Sequence, residues 1–302
     1  MKRYRKKYLN KRRRRRHTLV VMAEYFVLVI IACVLYLCYT AYESNQNDSL
    51  YNNKSIISKK NFSDGSSQNE YSSKYVSAKE KNPEVIGWIS IDDTDISYPL
   101  LQTNDNNYYL THNYKKEVSN YGSIYLHKNS VLSSEFSNLI VYGHNINSGS
   151  QMFSTLMNYK NKDFYQNHKT IRITTDSKEY IYTIFAVMKS KVYDNNEDVF
   201  KYYSYTDLTD KEKFNEYVSN CKKYQLYNTN VSAVYGNQII SLVTCEYSQD
   251  NGRLIVLGKK TKNLVVNTKW FMKFLFSYWY FVFIFSLIFH YYRLLFSHNR
   301  FC

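Results

Sequence analysis

Residues 241–257 read SLVTCEYSQDNGRLIVL, which has the pattern of two strands joined by a short loop. The β-branched and apolar residues on either side of the segment from Cys245 to Arg253 predict two strands. Within that segment, Asp250–Gly252 is typical of a tight reversal, because Asn and Gly tolerate a left-handed backbone. If the two strands pair, Cys245 ends one and Arg253 begins the next, which places a thiol beside a guanidinium at one rim of a sheet.

The use of arginine in the central part of the chain supports a special role for Arg253. Residues 43–268 contain 23 Lys but only two Arg, Arg172 and Arg253. Because the chain otherwise uses Lys for surface charge, an arginine at position 253 indicates a need for a rigid, planar and permanently charged group. The structural alternative is a cysteine buried as a small hydrophobic residue beside an arginine exposed in a hairpin.

The positive charge of the chain lies at its ends. The 302 residues carry a formal net charge of +15, and residues 1–17 alone contribute 11 Lys and Arg without any acid. Residues 43–268 carry 25 basic and 24 acidic side chains, so the central part is nearly neutral. This distribution argues against a nucleic acid as partner and indicates membrane topology instead.

The N-terminal segment has the pattern of a membrane anchor. A basic run precedes the apolar stretch 19–41, which is long enough to cross a hydrocarbon core of about 30 Å. The positive-inside rule predicts a basic cytoplasmic tail at 1–17, a transmembrane signal anchor at 18–42 and an extracellular remainder. A cleaved signal peptide is the alternative, although no clear cleavage site follows the apolar stretch.

Two further segments flank the predicted folded domain, which spans 75–263. Residues 43–74 predict a flexible stalk, because they are rich in Ser, Asn and Lys and lack the apolar residues of a packed core. Residues 274–289 contain no charged residue and are dense in aromatic residues. They predict a second transmembrane helix over 270–292 and a short cytoplasmic tail at 293–302, with a helix in the membrane interface as the alternative.

The domain at 75–263 has the pattern of a mainly β fold. Eight short strand-like runs separated by turn signals predict an antiparallel barrel or sandwich. The runs are Val85–Ile91, Ile96–Leu101, Gly122–Leu126, Asn138–Tyr142, Thr170–Thr174, Tyr180–Lys189, Ile239–Cys245 and Arg253–Gly258. Short helices are predicted near 75–81, 150–158 and 209–224. The sequence contains no phosphate-binding loop, dinucleotide glycine motif, zinc-ligand spacing or calcium loop, so we expect neither a cofactor nor a metal.

Histidine is the residue type that a thiol nucleophile needs as its partner. His144 follows a buried-strand pattern that ends in Gly143, so a rigid strand delivers it to a rim, and the glycine predicts a sharp backbone turn there. His127 has a weaker version of this context. The spacing favours His144 as the partner but does not exclude His127. Cys221 lies in a helical apolar pattern and is expected in the core, which leaves Cys245 as the candidate nucleophile.

In combination, these motifs resemble the sortase family. The sequence YGHN at 142–145, together with Thr244-Cys245 and Arg253, resembles the catalytic signature of sortases. Four further motifs are similar to class B sortases in particular: NPEVIGWI at 82–89, ISYPLLQ at 96–102, NYYL at 107–110 and GSIYL at 122–126. The resemblance covers about residues 75–260.

The resemblance implies a closed eight-stranded sortase-type β-barrel and a membrane-bound cysteine transpeptidase. It assigns Cys245 as the nucleophile, His144 as the general acid and base, and Arg253 as the group that stabilises the oxyanion or the substrate. Its implied partners are surface proteins with a C-terminal sorting motif and an amine acceptor on a cell-wall precursor or a pilin. The C-terminal apolar segment is a departure from class B, because such a helix is commoner in class C.

Two other classes of function stay open. A secreted, membrane-tethered cysteine protease would use the same residues but transfer the acyl group to water. A non-enzymatic, membrane-tethered binding domain would need no thiol chemistry at all. For a sortase, the loops between Lys189 and Lys223 are expected to determine which sorting motif is bound.

Overall fold

The computed structural model describes residues 22, 24–43, 45, 50, 66–146, 149–194 and 196–265. The predicted cytoplasmic tail at 1–17, C-terminal membrane helix at 270–292 and tail at 293–302 lie outside the described residues. By its internal contacts the chain forms two compact units, Met1–Ser58 and Lys59–Cys302.

The described residues of the first unit include helix α1 (Glu24–Glu43). This helix of 20 residues is long and apolar enough to cross a membrane, a test of length and composition that a signal sequence also passes. It overlaps the predicted anchor at 18–42, and its insertion in a membrane stays a prediction.

The second unit is built on a closed barrel of eight strands, which confirms the predicted fold class. The strands are β1 (Val85–Ser90), β2 (Ser97–Leu101), β3 (Ile124–Leu126), β4 (Asn138–Tyr142), β5 (Thr170–Thr174), β6 (Lys178–Lys191), β7 (Ile239–Cys245) and β8 (Gly252–Val265). Their order around the barrel is β1-β2-β3-β4-β7-β8-β6-β5.

Two of the strand pairs are parallel, so the wholly antiparallel arrangement predicted from the sequence is wrong there. They are β2 with β3 and β4 with β7. Parallel neighbours need a long crossover, and the segments 102–123 and 143–238 provide the length. The β4–β7 pair places the ends of two distant strands side by side.

The helices of the second unit precede β1 or lie in the connections between strands. Among the described residues they are α2 (Ser66–Lys81), α3 (Lys162–Asn167) and α4 (Lys211–Lys223), with short 3-10 helices at Tyr108–Leu110, Ser154–Lys160 and Tyr202–Ser204. Near the predicted helix at 150–158 the chain forms instead the 3-10 helix Ser154–Lys160 and then α3.

Helix α2 begins at Ser66, so the prediction of a flexible stalk is wrong for residues 66–74. The helix packs against β1 and β5, and its residues Tyr75 and Ala78 are buried. An ion pair of 3.0 Å between Glu70 and Lys74 supports its first part. Tertiary packing therefore extends the helix predicted near 75–81 back to Ser66, over residues whose polar composition alone does not indicate a helix.

Strands β6 and β8 are longer than predicted. They pair along their full length, from Lys178 opposite Val265 to Lys191 opposite Gly252. The added end of β8 is rich in Lys, Thr and Asn, so it lacks the apolar pattern from which strands are predicted. Backbone pairing with β6 is what extends it.

Helix α4 packs on the core through its apolar face. Cys221 is fully buried in a cluster with Phe214 and Tyr217 of the same helix and Leu257 of β8. Burial raises the pKa of the Cys221 thiol far above its ordinary value, so this cysteine stays protonated. The prediction that Cys221 is a core residue is confirmed.

Candidate active site

The hairpin of β7 and β8 brings together the first two predicted site residues. Cys245, the last residue of β7, pairs directly with Arg253 in β8, and both side chains are half-buried. Asn251 adopts the left-handed backbone of the predicted turn, with φ +53°. Gly252 has a different role, because a Cβ there would lie 2.2 Å from the carbonyl oxygen of Glu246.

The parallel pairing of β4 with β7 adds the third residue. Gly143 N–H donates to the Val243 carbonyl at 3.2 Å, and Thr244 Oγ1 donates to the Gly143 carbonyl at 2.8 Å. Gly143 is followed directly by His144, and Thr244 by Cys245. The paired strands therefore bring these two residues to the same end of the sheet. Together with Arg253, these two side chains line one cleft of about 350 Å³, hereafter the cleft. His127 lines it as well.

Gly143 is required by close packing and not by the sharp turn predicted from the sequence. Its φ lies outside the left-handed region, which among the described glycines only Gly122 and Gly236 occupy. A Cβ at Gly143 would lie 2.4 Å from Cδ1 of Ile124 and 2.7 Å from the ring of Phe153. The strand that carries His144 is thereby held directly against the core.

Substitution of Gly143 with alanine is expected to lower the free energy of unfolding by about 2 kcal/mol, because the core has no space for the added methyl group. Denaturant unfolding measures the change. Gly149→Ala is the matched control, since a Cβ there meets nothing closer than 3.9 Å. Equal unfolding midpoints for Gly143→Ala and the wild type would contradict the packing argument.

The ring of His144 is oriented by a backbone carbonyl. Its Nε2 lies 2.8 Å from the carbonyl oxygen of Leu110, which only accepts hydrogen bonds, so Nε2 carries the proton. In the neutral ring, Nδ1 is then the nitrogen that accepts a proton. Leu110 contributes through its backbone, which is why its part in the site could not be predicted from residue types.

The loops that follow β4 and β7 are tied to each other. Asn145 Nδ2 donates to the Cys245 carbonyl at 2.9 Å, and the Tyr247 hydroxyl donates to the Asn145 carbonyl at 2.9 Å. These bonds fix the loop of His144 against the loop of Cys245. Asn145 belongs to the quoted YGHN motif, but this role was not predicted.

Arg253 lies among tyrosines. Tyr125, Tyr142 and Tyr202 line the cleft beside it. Burial raises the pKa of Tyr142 to about 12 although the Arg253 charge lowers it, so the phenol stays neutral. Arg253 Nη1 donates to the Gly252 carbonyl at 2.8 Å, and no carboxylate among the described residues forms an ion pair with the guanidinium. Its charge and remaining N–H groups are available to a ligand.

Glu246, directly after Cys245, is a buried carboxylate with two lysine partners. Its side chain is 1% exposed, contacts Lys160 of the 3-10 helix Ser154–Lys160, and lies 3.4 Å from Lys189 Nζ of β6. Burial raises its pKa, but the hydrogen bonds from Lys160 and Ser248 and the two lysine charges outweigh burial and lower the pKa to about 2. The ionised carboxylate joins the cysteine loop to two other elements.

Glu246→Gln is expected to destabilise the protein in a pH-dependent way. Because the folded pKa of about 2 lies below the ordinary 4.5, ionised Glu246 stabilises the fold above about pH 4.5 and loses this effect as the pH falls toward 2. At pH 7 we expect the free energy of unfolding to drop by roughly 2 kcal/mol. Denaturant unfolding at pH 7 and near pH 2 measures this difference.

The matched control for Glu246→Gln is Glu80→Gln, since Glu80 is exposed on α2. It should leave the free energy of unfolding unchanged at both pH values. A stability difference between Glu246→Gln and the wild type that persists undiminished near pH 2 would show that the carboxylate's charge is not its cause.

The segment between Lys189 and Lys223, predicted to hold specificity loops, contributes Val192, Tyr202 and Tyr203 to the cleft wall. Which peptide these residues select stays a prediction. Within the described residues, no cluster of three or more His, Cys, Asp or Glu side chains could hold a metal ion.

Comparison with known proteins identifies the class that this fold and site define, the cysteine transpeptidases. Residues 89–261 match the model of the sortase domain family. The chain belongs to the sortase family, and its relatives place it among the class B members.

Three of these relatives show the extent of the similarity. The chain is similar to Sortase B of Listeria monocytogenes, with 34% identity over 222 residues, which cover 72% of this chain and 86% of the relative. The Staphylococcus aureus sortase B-substrate complex matches with a TM-score of 0.60 and 26% identity, over 74% of this chain and 98% of that chain. The sortase B structure from Clostridium perfringens matches with a TM-score of 0.56 and 29% identity, over 62% and 99% of the two chains.

Proposed function

We propose that this sortase is anchored in the cell membrane, cleaves the C-terminal sorting motif of surface proteins and transfers them to an amine. The acceptor is an amino group of a cell-wall precursor or of a pilin. The observation that carries the proposal is the pairing of Cys245 with Arg253 in the cleft that also contains His144. That arrangement supports the roles predicted for these three residues.

In the first half of the reaction, the Cys245 thiolate attacks the carbonyl carbon of a threonine-like residue in the sorting motif. Arg253 donates hydrogen bonds to the developing oxyanion or to the peptide backbone, and its fixed charge also favours the thiolate. Protonated His144 gives a proton to the departing amine. The C–N bond breaks, and the peptide acyl group stays on sulfur as a thioester.

In the second half, an amine attacks the thioester. Neutral His144 takes a proton from the incoming amine through Nδ1, since Nε2 is bound to the Leu110 carbonyl. A new amide bond forms, and the Cys245 thiolate leaves. Transfer to an amine and not to water is what distinguishes this enzyme from a protease.

The membrane position rests on helix α1 and on the basic residues before it. An uncleaved anchor with its basic tail in the cytoplasm places the barrel outside the cell. Both the sorting-motif protein and a lipid-linked wall precursor are expected at the outer leaflet of the cell membrane. A tethered enzyme therefore searches for them in two dimensions. One similar structure is a Staphylococcus aureus sortase B-substrate complex, which supports the proposal that this chain binds a substrate.

The full-length chain in detergent, incubated with quenched fluorescent peptides that carry Thr at the cleaved position, tests the proposal. Triglycine and a lysine-containing peptide serve as acceptor amines, and mass spectrometry identifies the products. We expect an amide product with at least one amine. Hydrolysis alone would indicate the tethered protease, and binding without cleavage would indicate the non-enzymatic domain.

A further inference from the structure

His127 lines the cleft, yet the proposed reaction gives it no task. It directly follows β3 and is half-buried, and its ring centroid lies 6.1 Å from that of Tyr142. A half-buried imidazole in a substrate cleft has two polar nitrogens whose hydrogen bonds determine what it does. Those bonds differ from the bonds of His144.

The position of His127 is fixed through both its backbone and its ring. Its N–H donates to the Ile140 carbonyl at 2.8 Å, and its carbonyl accepts from Gln102 Nε2 at 3.0 Å. The backbone N–H of Asn129 donates to Nδ1 of the ring at 3.1 Å. A backbone N–H only donates, so Nδ1 is the acceptor and Nε2 of the neutral ring carries the proton.

The ring of His127 stays neutral near pH 7. Burial, together with the nearby Lys128 charge, lowers its pKa below the ordinary value of 6.5. Among the described residues, none forms a hydrogen bond with His127 Nε2. The cleft therefore contains one oriented, neutral N–H donor that the fold itself leaves without an acceptor.

This arrangement suits binding and not proton transfer. A neutral imidazole takes up a proton through its bare nitrogen, and in His127 that nitrogen is bound by the Asn129 N–H. In His144 the protonated nitrogen is the one held, by the Leu110 carbonyl, so the bare nitrogen remains for chemistry. The two histidines of the cleft thus have opposite hydrogen-bonding patterns.

We propose that His127 is a substrate-binding residue whose Nε2–H donates a hydrogen bond to an amide oxygen of the bound sorting peptide. The inference rests on the proposed function only in that the cleft binds this peptide. An amide oxygen fits because a neutral donor offers no charge to a carboxylate and no lone pair to an ammonium group. The permanently charged Arg253 already supplies the cationic contact.

Peptide affinity tests this role without turnover. Fluorescence anisotropy of the Thr-containing peptides is measured with the full-length Cys245→Ala chain in detergent, alone and combined with changes at His127. His127→Phe keeps a planar ring but removes the donor, so we expect Kd to rise about tenfold. His127→Gln places an amide N–H₂ near the original Nε2, and its Kd should stay within about twofold of that of the Cys245→Ala parent.

Two further variants protect the test against misfolding and indirect effects. His127→Asn keeps an acceptor for the Asn129 N–H but lacks the distal donor, so it should lose affinity as His127→Phe does, even if the latter does not fold. His168→Phe is the matched control, because His168 stacks on Phe164 with centroids 4.0 Å apart and does not line the cleft. Its peptide affinity should equal that of the Cys245→Ala parent.

Alanine substitution along the peptide identifies the source of the oxygen. If one substitution removes the difference between His127→Phe and its parent, the acceptor is a side-chain amide; if none does, it is a backbone carbonyl. Unchanged affinity in both His127→Phe and His127→Asn would overturn the inference. Slower alkylation of Cys245 by iodoacetamide in His127→Phe would also overturn it, since His127 would then act on the thiol.

The outcomes separate this inference from the proposed function. A peptide that binds the Cys245→Ala chain through His127, but never acylates Cys245 in the wild type, would defeat the proposed transpeptidation and leave the binding role of His127 intact. If cleavage and aminolysis proceed but all His127 variants bind the peptide with equal affinity, the proposed function stands and the binding role of His127 is overturned.

Discussion

Cys245→Ala is expected to lower the rate of peptide cleavage by roughly 10⁴-fold or more, because alanine cannot form the thioester through which the proposed reaction proceeds. The quenched fluorescent peptides measure the rate. Mass spectrometry of the wild type with peptide and no amine should show an acyl group on Cys245. Cleavage that survives this substitution would remove the central assignment, since no other thiol lines the cleft among the described residues.

The matched control for Cys245→Ala is Cys221→Ala. Cys221 is fully buried in the core beneath α4, where burial keeps its thiol protonated. The change leaves a small cavity, so the unfolding midpoint should fall while the rate per folded molecule stays near that of the wild type. Iodoacetamide labelling is mapped by mass spectrometry, since Cys33 and Cys38 are exposed free thiols as well. Label on Cys245 should be kept in Cys221→Ala.

Arg253→Lys is expected to lower kcat/KM by about 10²- to 10³-fold. Lysine keeps the positive charge but loses the planar fork, so it cannot hold two acceptor atoms in the geometry that Arg253 provides beside Cys245. Steady-state kinetics with peptide and triglycine measure the loss. A rate near that of the wild type would mean that charge alone is sufficient at this position.

Arg172 offers the matched control for Arg253→Lys. It is the other arginine of residues 43–268, and its Nε donates to Asp92 at 2.9 Å while Nη1 donates to Glu179 at 3.3 Å. Arg172→Lys weakens these structural ion pairs, so it should reduce stability and leave kcat/KM unchanged. The pair of variants separates an arginine needed for chemistry from one needed for the fold.

The location of the candidate site could be predicted from the sequence because its signals are local. A turn between two apolar runs places Cys245 next to Arg253, and a strand pattern delivers His144 to a rim. The groups that hold these residues in place could not be predicted in this way. The Leu110 carbonyl contributes no side chain, and Tyr247 reaches Asn145 across a hundred residues of sequence, so neither leaves a local pattern.

The strands could be predicted from the sequence, whereas their pairing around the barrel could be predicted only in part. Each strand core carries its own apolar pattern, whereas the parallel pairs depend on how the long connections run. Helix α2 and the polar end of β8 form because they meet β1 and β6, and contacts of this kind are absent from the composition of either segment.

The parallel pairing of β4 with β7 also bears on when the enzyme becomes reactive. The two strands are separated along the chain by the whole segment 143–238, and their alignment brings His144 and Cys245 into one cleft. Closing so long a loop is slow compared with forming a hairpin. A chain whose barrel has not yet closed therefore carries the thiol without its imidazole partner, and the capacity to form a thioester is expected only once the fold is complete.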